Sequence, residues 1–167
     1  MDFFELARAS EELGGVKLET AGGLTTWEAF PSYKHQSRID RIRATIQRRS
    51  DLISDCACLH VSDVYVRFPD GSLKRPDIAL FCEEPAEEEQ GGAVTLLPVA
   101  VIEIISKGYE DKDLRVGVPF YLAQGIRDVV TLDPASETVT HFRPGKAPSI
   151  HASPALLRFS CGCEATI

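Results

Sequence analysis

No stretch of the 167 residues is long and apolar enough to span a bilayer: the most apolar run, Leu96 to Ile105, is short, β-branched and holds a glutamate. The amino terminus, Met1-Asp2-Phe3-Phe4-Glu5-Leu6, lacks the basic start and apolar block of a secretory leader, so a cytoplasmic protein without a membrane partner is expected. Positive charge is not in excess. With 18 Lys and Arg against 25 Asp and Glu, the net charge of −7 argues against a generic nucleic-acid coat protein, though not against an enzyme acting on nucleic acid. Neither an internal repeat nor a useful interdomain linker is present, and 44% hydrophobic residues allow one sizeable core, so residues 1–167 are expected to form a single domain.

What is present begins with Glu103, set inside Val99-Ala100-Val101-Ile102-Glu103-Ile104-Ile105. Apolar residues on both parities predict a central strand covered on both faces. A carboxylate there needs a partner, because burying an uncompensated charge costs more than its aliphatic neighbours repay. A second acid, Asp77, heads the run Ile78-Ala79-Leu80-Phe81. Two carboxylates on neighbouring strands suggest a divalent metal. The charges also cluster: Lys34, Arg38, Arg41, Arg43, Arg48 and Arg49 are offset only by Asp40, whereas Glu83, Glu84, Glu87, Glu88 and Glu89 crowd one segment.

The spacing predicts a helix from Asp2 to Leu13 ended by Gly14-Gly15, then a short strand over Val16 to Glu19 and a loop at Ala21-Gly22-Gly23. A second helix is predicted over Ser32 to Arg49, with Ile39, Ile42 and Ile46 on one stripe. Strands Cys56 to Phe68 and Ser72 to Phe81 form a hairpin about Pro69-Asp70-Gly71, and Glu83 to Gly92 is a loop. Asp111 to Gln124 has helical spacing, but Pro119 requires a kink or a late start. Val129 to Leu132 and Glu137 to Arg143 are further strands, and the tail beyond Pro144 is rich in Pro, Ser and Gly.

Ser32-Tyr33-Lys34-His35-Gln36 at a helix start, Arg75-Pro76-Asp77, Glu103-Ile104-Ile105-Ser106, Asp113, Tyr121, Gly125 and Asp133-Pro134 follow one another in a known order. Over roughly residues 30–143 the chain resembles the Uma-two family of putative restriction endonucleases, in the PD-(D/E)xK nuclease superfamily. The resemblance implies an α/β (α+β) restriction-endonuclease-like fold, a mixed central sheet flanked by helices. It implies a hydrolase of nucleic-acid phosphodiester bonds, most simply of DNA, with Asp77 and Glu103 as catalytic ligands of Mg²⁺ or Mn²⁺. A homodimer is the corresponding guess, since cutting two strands commonly needs two sites.

The superfamily's lysine falls two residues after the second acid, where this chain has Ile105; the family's alternative falls four after the residue matching Asp113, where it has Gly117. Both positions lack lysine. Lys107 shares the strand parity of Glu103 and is taken as the catalytic cation, with Lys112 as its alternative. Lys34, Arg38 and Arg41 are candidate phosphate contacts, and His35 is expected to cap and pack. The bland readings pair Asp77 with Arg75 and put Glu103 in a buried salt bridge.

Cys56, Cys58 and His60 lie on one strand face, and Cys161 and Cys163 form a second Cys-x-Cys pair. Four thiolates could hold a structural zinc if the tail folds back, but Cys82 has no place in that scheme, the resemblance calls for no zinc, and disulfides are not expected in a reducing compartment. Two alternatives to the nuclease therefore stand: a catalytically silent nuclease fold serving as a binding or regulatory module, and a zinc-stabilised structural protein.

Overall fold

The computed structural model describes residues 2–28, 31–110 and 112–167. Helix α1 (Phe3–Glu12) opens with a reciprocal cap: the Asp2 carboxylate accepts from the Glu5 N–H and the Glu5 carboxylate from the Asp2 N–H. It stops before Gly14. Strands β1 (Lys17–Ala21) and β2 (Leu24–Glu28) pair about Gly22-Gly23, both at positive φ, as a tight two-residue hairpin turn requires.

Helix α2 (Tyr33–Arg43) starts where expected, capped by the Ser32 hydroxyl, but ends at Arg43 rather than Arg49. Thr45 draws the chain away. Its hydroxyl donates to Ile42 O and accepts from the Thr166 N–H, and Gln47–Arg48 follow as strand β3. Ile39 and Ile42 point into the core, each burial stabilising the fold by about 2 kcal/mol.

The expected hairpin forms in two pieces. Strand β4 (Leu59–Val61) pairs with β7 (Ile78–Phe81), while β5 (Val66–Arg67) pairs with β6 (Leu73–Lys74) across the Pro69-Asp70-Gly71 turn. The break falls at Asp63, which is at positive φ and is held by Arg75 and by the Pro76 carbonyl. Strand β8 (Ala100–Ile104) is central and fully buried. After it, residues 112–117 make a wide π-helical turn and α3 (Val118–Ala123) begins with Pro119 in its first turn, which is the late start that proline demands.

Strands β9 (Asp128–Asp133) and β10 (Thr138–Phe142) follow. The tail beyond Pro144 is more regular than its composition suggests, forming β11 (Ser149–Ala152), β12 (Leu156–Arg158) and β13 (Cys163–Thr166). The main sheet has the order β11-β10-β9-β8-β7-β4, with β8 and β9 parallel and the other pairs antiparallel. A smaller sheet, β12-β13-β3, lets the tail close over the α2 side. Ile78, Leu80, Ile102 and Ile104 pack toward α2, whereas Ala79, Phe81 and Val101 pack toward Val118 and Tyr121 of α3.

Candidate active site

The β7–β8 register fixes the acids. Ile78 faces Ile102 and Ala79 faces Val101, so the antiparallel step beyond brings Asp77 opposite Glu103 on the same face. The two side chains are cross-tied through the backbone: Glu103 Oε2 accepts from the Asp77 N–H at 3.0 Å, and Asp77 Oδ2 accepts from the Ile104 N–H at 2.8 Å. Tyr121, fully buried on α3, donates its hydroxyl to Glu103 Oε1 at 2.6 Å. Asp77 does not take the partner of its bland reading, for Arg75 pairs with Asp63 at 2.7 Å.

Asp77 Oδ1 faces a cleft of about 820 Å³. His35 Nε2 stands 3.2 Å from this oxygen and Lys17 Nζ 3.6 Å from it. The same ammonium lies 3.6 Å from Glu28 Oε2 and 4.0 Å from Asp63 Oδ1, with the Lys17 side chain only 12% exposed. A second buried pair supports this hairpin. Lys74 Nζ meets Glu19 Oε2 at 2.6 Å, and Glu19 Oε1 accepts from the Arg75 N–H.

These neighbours divide the protons. Burial, reinforced by the Asp77 carboxylate, pushes Glu103 up to about 8, against the pull of Lys17. Burial also acts to raise Asp77, but Lys17, His35 and the Ile104 N–H together hold it below the usual carboxylate range. Burial would lower both Lys17 and His35, yet the carboxylates raise Lys17 well above the ordinary lysine value, and the bond to Asp77 raises His35. The shared environment thus sets the two acids apart, Glu103 holding its proton to higher pH than Asp77, with Lys17 charged beside them.

Lys107 lies on the rim of the cleft and is exposed; the ammonium set against Asp77 is that of Lys17. The side chain of Lys112 lies outside the described residues, as does Asp111. Ile105 and Gly117 are buried without supplying a cation. Lys34 and Arg38 line the cleft, with Arg38 also paired to Glu137, whereas Arg41 is exposed on α2 and outside the lining. His35 reaches the site instead of merely packing: besides its contact to Asp77, its Nδ1 lies 3.4 Å from Ser106 Oγ. Lys17 was missed by sequence reasoning. Its signal was the charged pair Lys17 and Glu19 flanking Leu18 in a short strand, which by the argument applied to Glu103 asks for buried partners.

Asp77 Oδ1 lines the cleft and is the hard oxygen donor a divalent cation takes, while Glu103 lies behind it with both oxygens accepting hydrogen bonds, from the Asp77 N–H and the Tyr121 hydroxyl. The model of the Uma2 family, described as putative restriction endonuclease, matches residues 2–160, a span that includes Lys17 and His35 as well as both acids. The chain belongs to this family. As a Uma2 member it shares the fold of a solved structure titled as a putative nuclease belonging to DUF820, from Anabaena variabilis ATCC 29413. That likeness has a TM-score of 0.59 and 21% identity over 84% of this chain and 79% of the other. The expected α+β architecture with a mixed central sheet is the one found. No curated protein matches the Uma2 chain. None of its described helices is long and apolar enough to cross a membrane.

Proposed function

We propose that the cleft hydrolyses phosphodiester bonds of nucleic acid, with DNA as the substrate, and that Lys17 supplies the cationic group that Ile105 and Gly117 do not. The observation that carries this reading is the Lys17 ammonium 3.6 Å from Asp77 Oδ1, beside Glu103 and open to the cleft. A Mg²⁺ or Mn²⁺ held by Asp77 and Glu103 would polarise a phosphoryl oxygen and lower the pKa of a bound water.

The chain's own groups do the rest. Lys17 offsets negative charge developing on the phosphoryl oxygens, in a setting where its neighbours keep it protonated. The Tyr121 hydroxyl and the N–H groups of Asp77 and Ile104 hold the two carboxylates so that little reorganisation accompanies the reaction. His35 holds a proton against Asp77 Oδ1 and fixes its direction. Lys34 and Arg38 on the rim meet the flanking phosphates. Glu103 must lose its proton to act as a ligand, so activity rises toward alkaline pH. A homodimer would supply the second site needed for both strands.

The test is cleavage of supercoiled plasmid with Mg²⁺, Mn²⁺ or chelator by the wild-type protein and by Glu103→Ala, Lys17→Met and Lys107→Ala. Metal-dependent nicking lost in the first two variants and kept in Lys107→Ala supports the reading. Equal activity in wild type and Glu103→Ala would overturn it. No activity in any preparation would favour the silent binding module.

A further inference from the structure

All five cysteines, drawn from separate parts of the chain, gather where the small tail sheet meets the main sheet. Cys56 and Cys58 precede β4, Cys82 follows β7, and Cys161 and Cys163 frame the start of β13. Two disulfides pair four of them, Cys56 with Cys82 and Cys58 with Cys163, contrary to the expectation that disulfides are absent. The pairs are stacked. Cys56 Sγ lies 3.5 Å from Cys163 Sγ across the two bridges, the sulfurs of Cys56, Cys58 and Cys163 all lie within 4.8 Å of one another, and those of Cys56, Cys82 and Cys161 do likewise.

Crosslinking two segments needs only one sulfur pair. In a tetrahedral zinc site with Zn–S bonds of about 2.3 Å, neighbouring sulfurs stand roughly 3.8 Å apart, close to the non-bonded separation seen here. Cys56, Cys58 and Cys163 are buried, and the surroundings, including Leu80, Leu157 and Phe159, are apolar, so a soft cation bound there would be shielded from water and would draw the thiols into their thiolate form. The tail folds back as a zinc site requires, and Cys82, which had no place by sequence alone, stands within 4.8 Å of Cys56 and Cys161 at the edge of the triad.

We propose that, once reduced, this cluster is a structural zinc site in which the close triad Cys56, Cys58 and Cys163 binds one Zn²⁺ and Cys82, freed from Cys56, turns in as the fourth ligand, with Cys161 beside it. A dithiol reduces each disulfide to two thiols and is itself oxidised to its disulfide; Zn²⁺ then binds the four thiolates with release of their protons to buffer. The site joins β13 to the end of β7 at a distance from the acids, so it is independent of the nuclease reading.

The full-length chain would be reduced with dithiol, freed of metal by a chelator and titrated with Co²⁺ and then Zn²⁺ under anaerobic conditions. Expected are thiolate-to-cobalt charge-transfer bands, with the intense visible bands of a tetrahedral site, that saturate at one thiolate-bound Co²⁺ per chain and vanish on addition of one equivalent of Zn²⁺. Glu103→Ala and Cys161→Ser should keep these bands, and Cys163→Ser should lose them. A reduced protein with native circular dichroism that takes up no Co²⁺ with thiolate bands would overturn the proposal. So would bands that survive in Cys163→Ser.

Discussion

Glutamine at position 103 separates the stability of the site from its chemistry. Its amide oxygen can accept from the Asp77 N–H and its NH₂ can donate to Tyr121 Oη, so both bonds of the glutamate survive. What disappears is the titration. Glu103 has a folded pKa of about 8 against an ordinary value of 4.5, in a setting of Asp77, Glu19, Lys17 and Lys74. A raised carboxyl stabilises the fold fully below its unfolded pKa, and that contribution is lost as pH rises through the folded one. At about 1.4 kcal/mol per unit, the wild type loses about 3 kcal/mol relative to glutamine between pH ~4.5 and ~7, and at most about 5 kcal/mol once ionisation is complete. Urea unfolding of both proteins across this range, with chelator present, reads the difference directly. Glu103→Gln should gain on the wild type steadily as pH rises, while cutting no plasmid. Parallel stability curves would refute the account, because Glu103 would then titrate normally in the folded protein.

Lys17→Met leaves Asp77 and Glu28 without their shared ammonium and should cost about 3 kcal/mol in chemical denaturation, together with on the order of 10²-fold in cleavage rate. The His35 ring, monitored by NMR, should titrate above its ordinary 6.5 because its bond to Asp77 outweighs burial, and Asp77→Asn should bring it down. Stability from that contact is present below about pH 6.5 and fades as pH rises through the folded value. Tyr121→Phe removes a buried hydroxyl donor to Glu103 and should lower stability by about 1.5 kcal/mol at a pH where Glu103 is ionised, with loss of metal-stimulated cleavage as the second readout.

The central strand was legible because Val101, Ile102 and Ile104 fill both parities around one acid, and the pairing of β7 with β8 then follows from their apolar runs. The proline at 119 and the glycine pair at 14 and 15 marked helix limits for steric reasons that hold in any context. The site cation was not legible by linear spacing, since Lys17 arrives from a separate hairpin and is fixed only by tertiary contacts with Asp77, Glu28 and Asp63. The early end of α2 and the break at Asp63 likewise depend on Thr166 and Arg75, which no local window contains. The tail's composition concealed its strands because β12 and β13 are short and separated by turn residues.

The pairing of β3 with β13 has a consequence for how the molecule matures. Gln47 and its cross-strand neighbour Glu164 are 117 positions apart, and Thr45 and Thr166 are 121 apart. Contacts so distant along the chain close late, because the intervening loop must be ordered first. A newly made chain can therefore assemble β7 and β8, and with them both acids, while the C-terminal end of the helix bearing His35 and Arg38 is still unclamped. That clamp waits on residue 166, so the sheet carrying both acids can form first and the end of the helix is fixed against it afterwards.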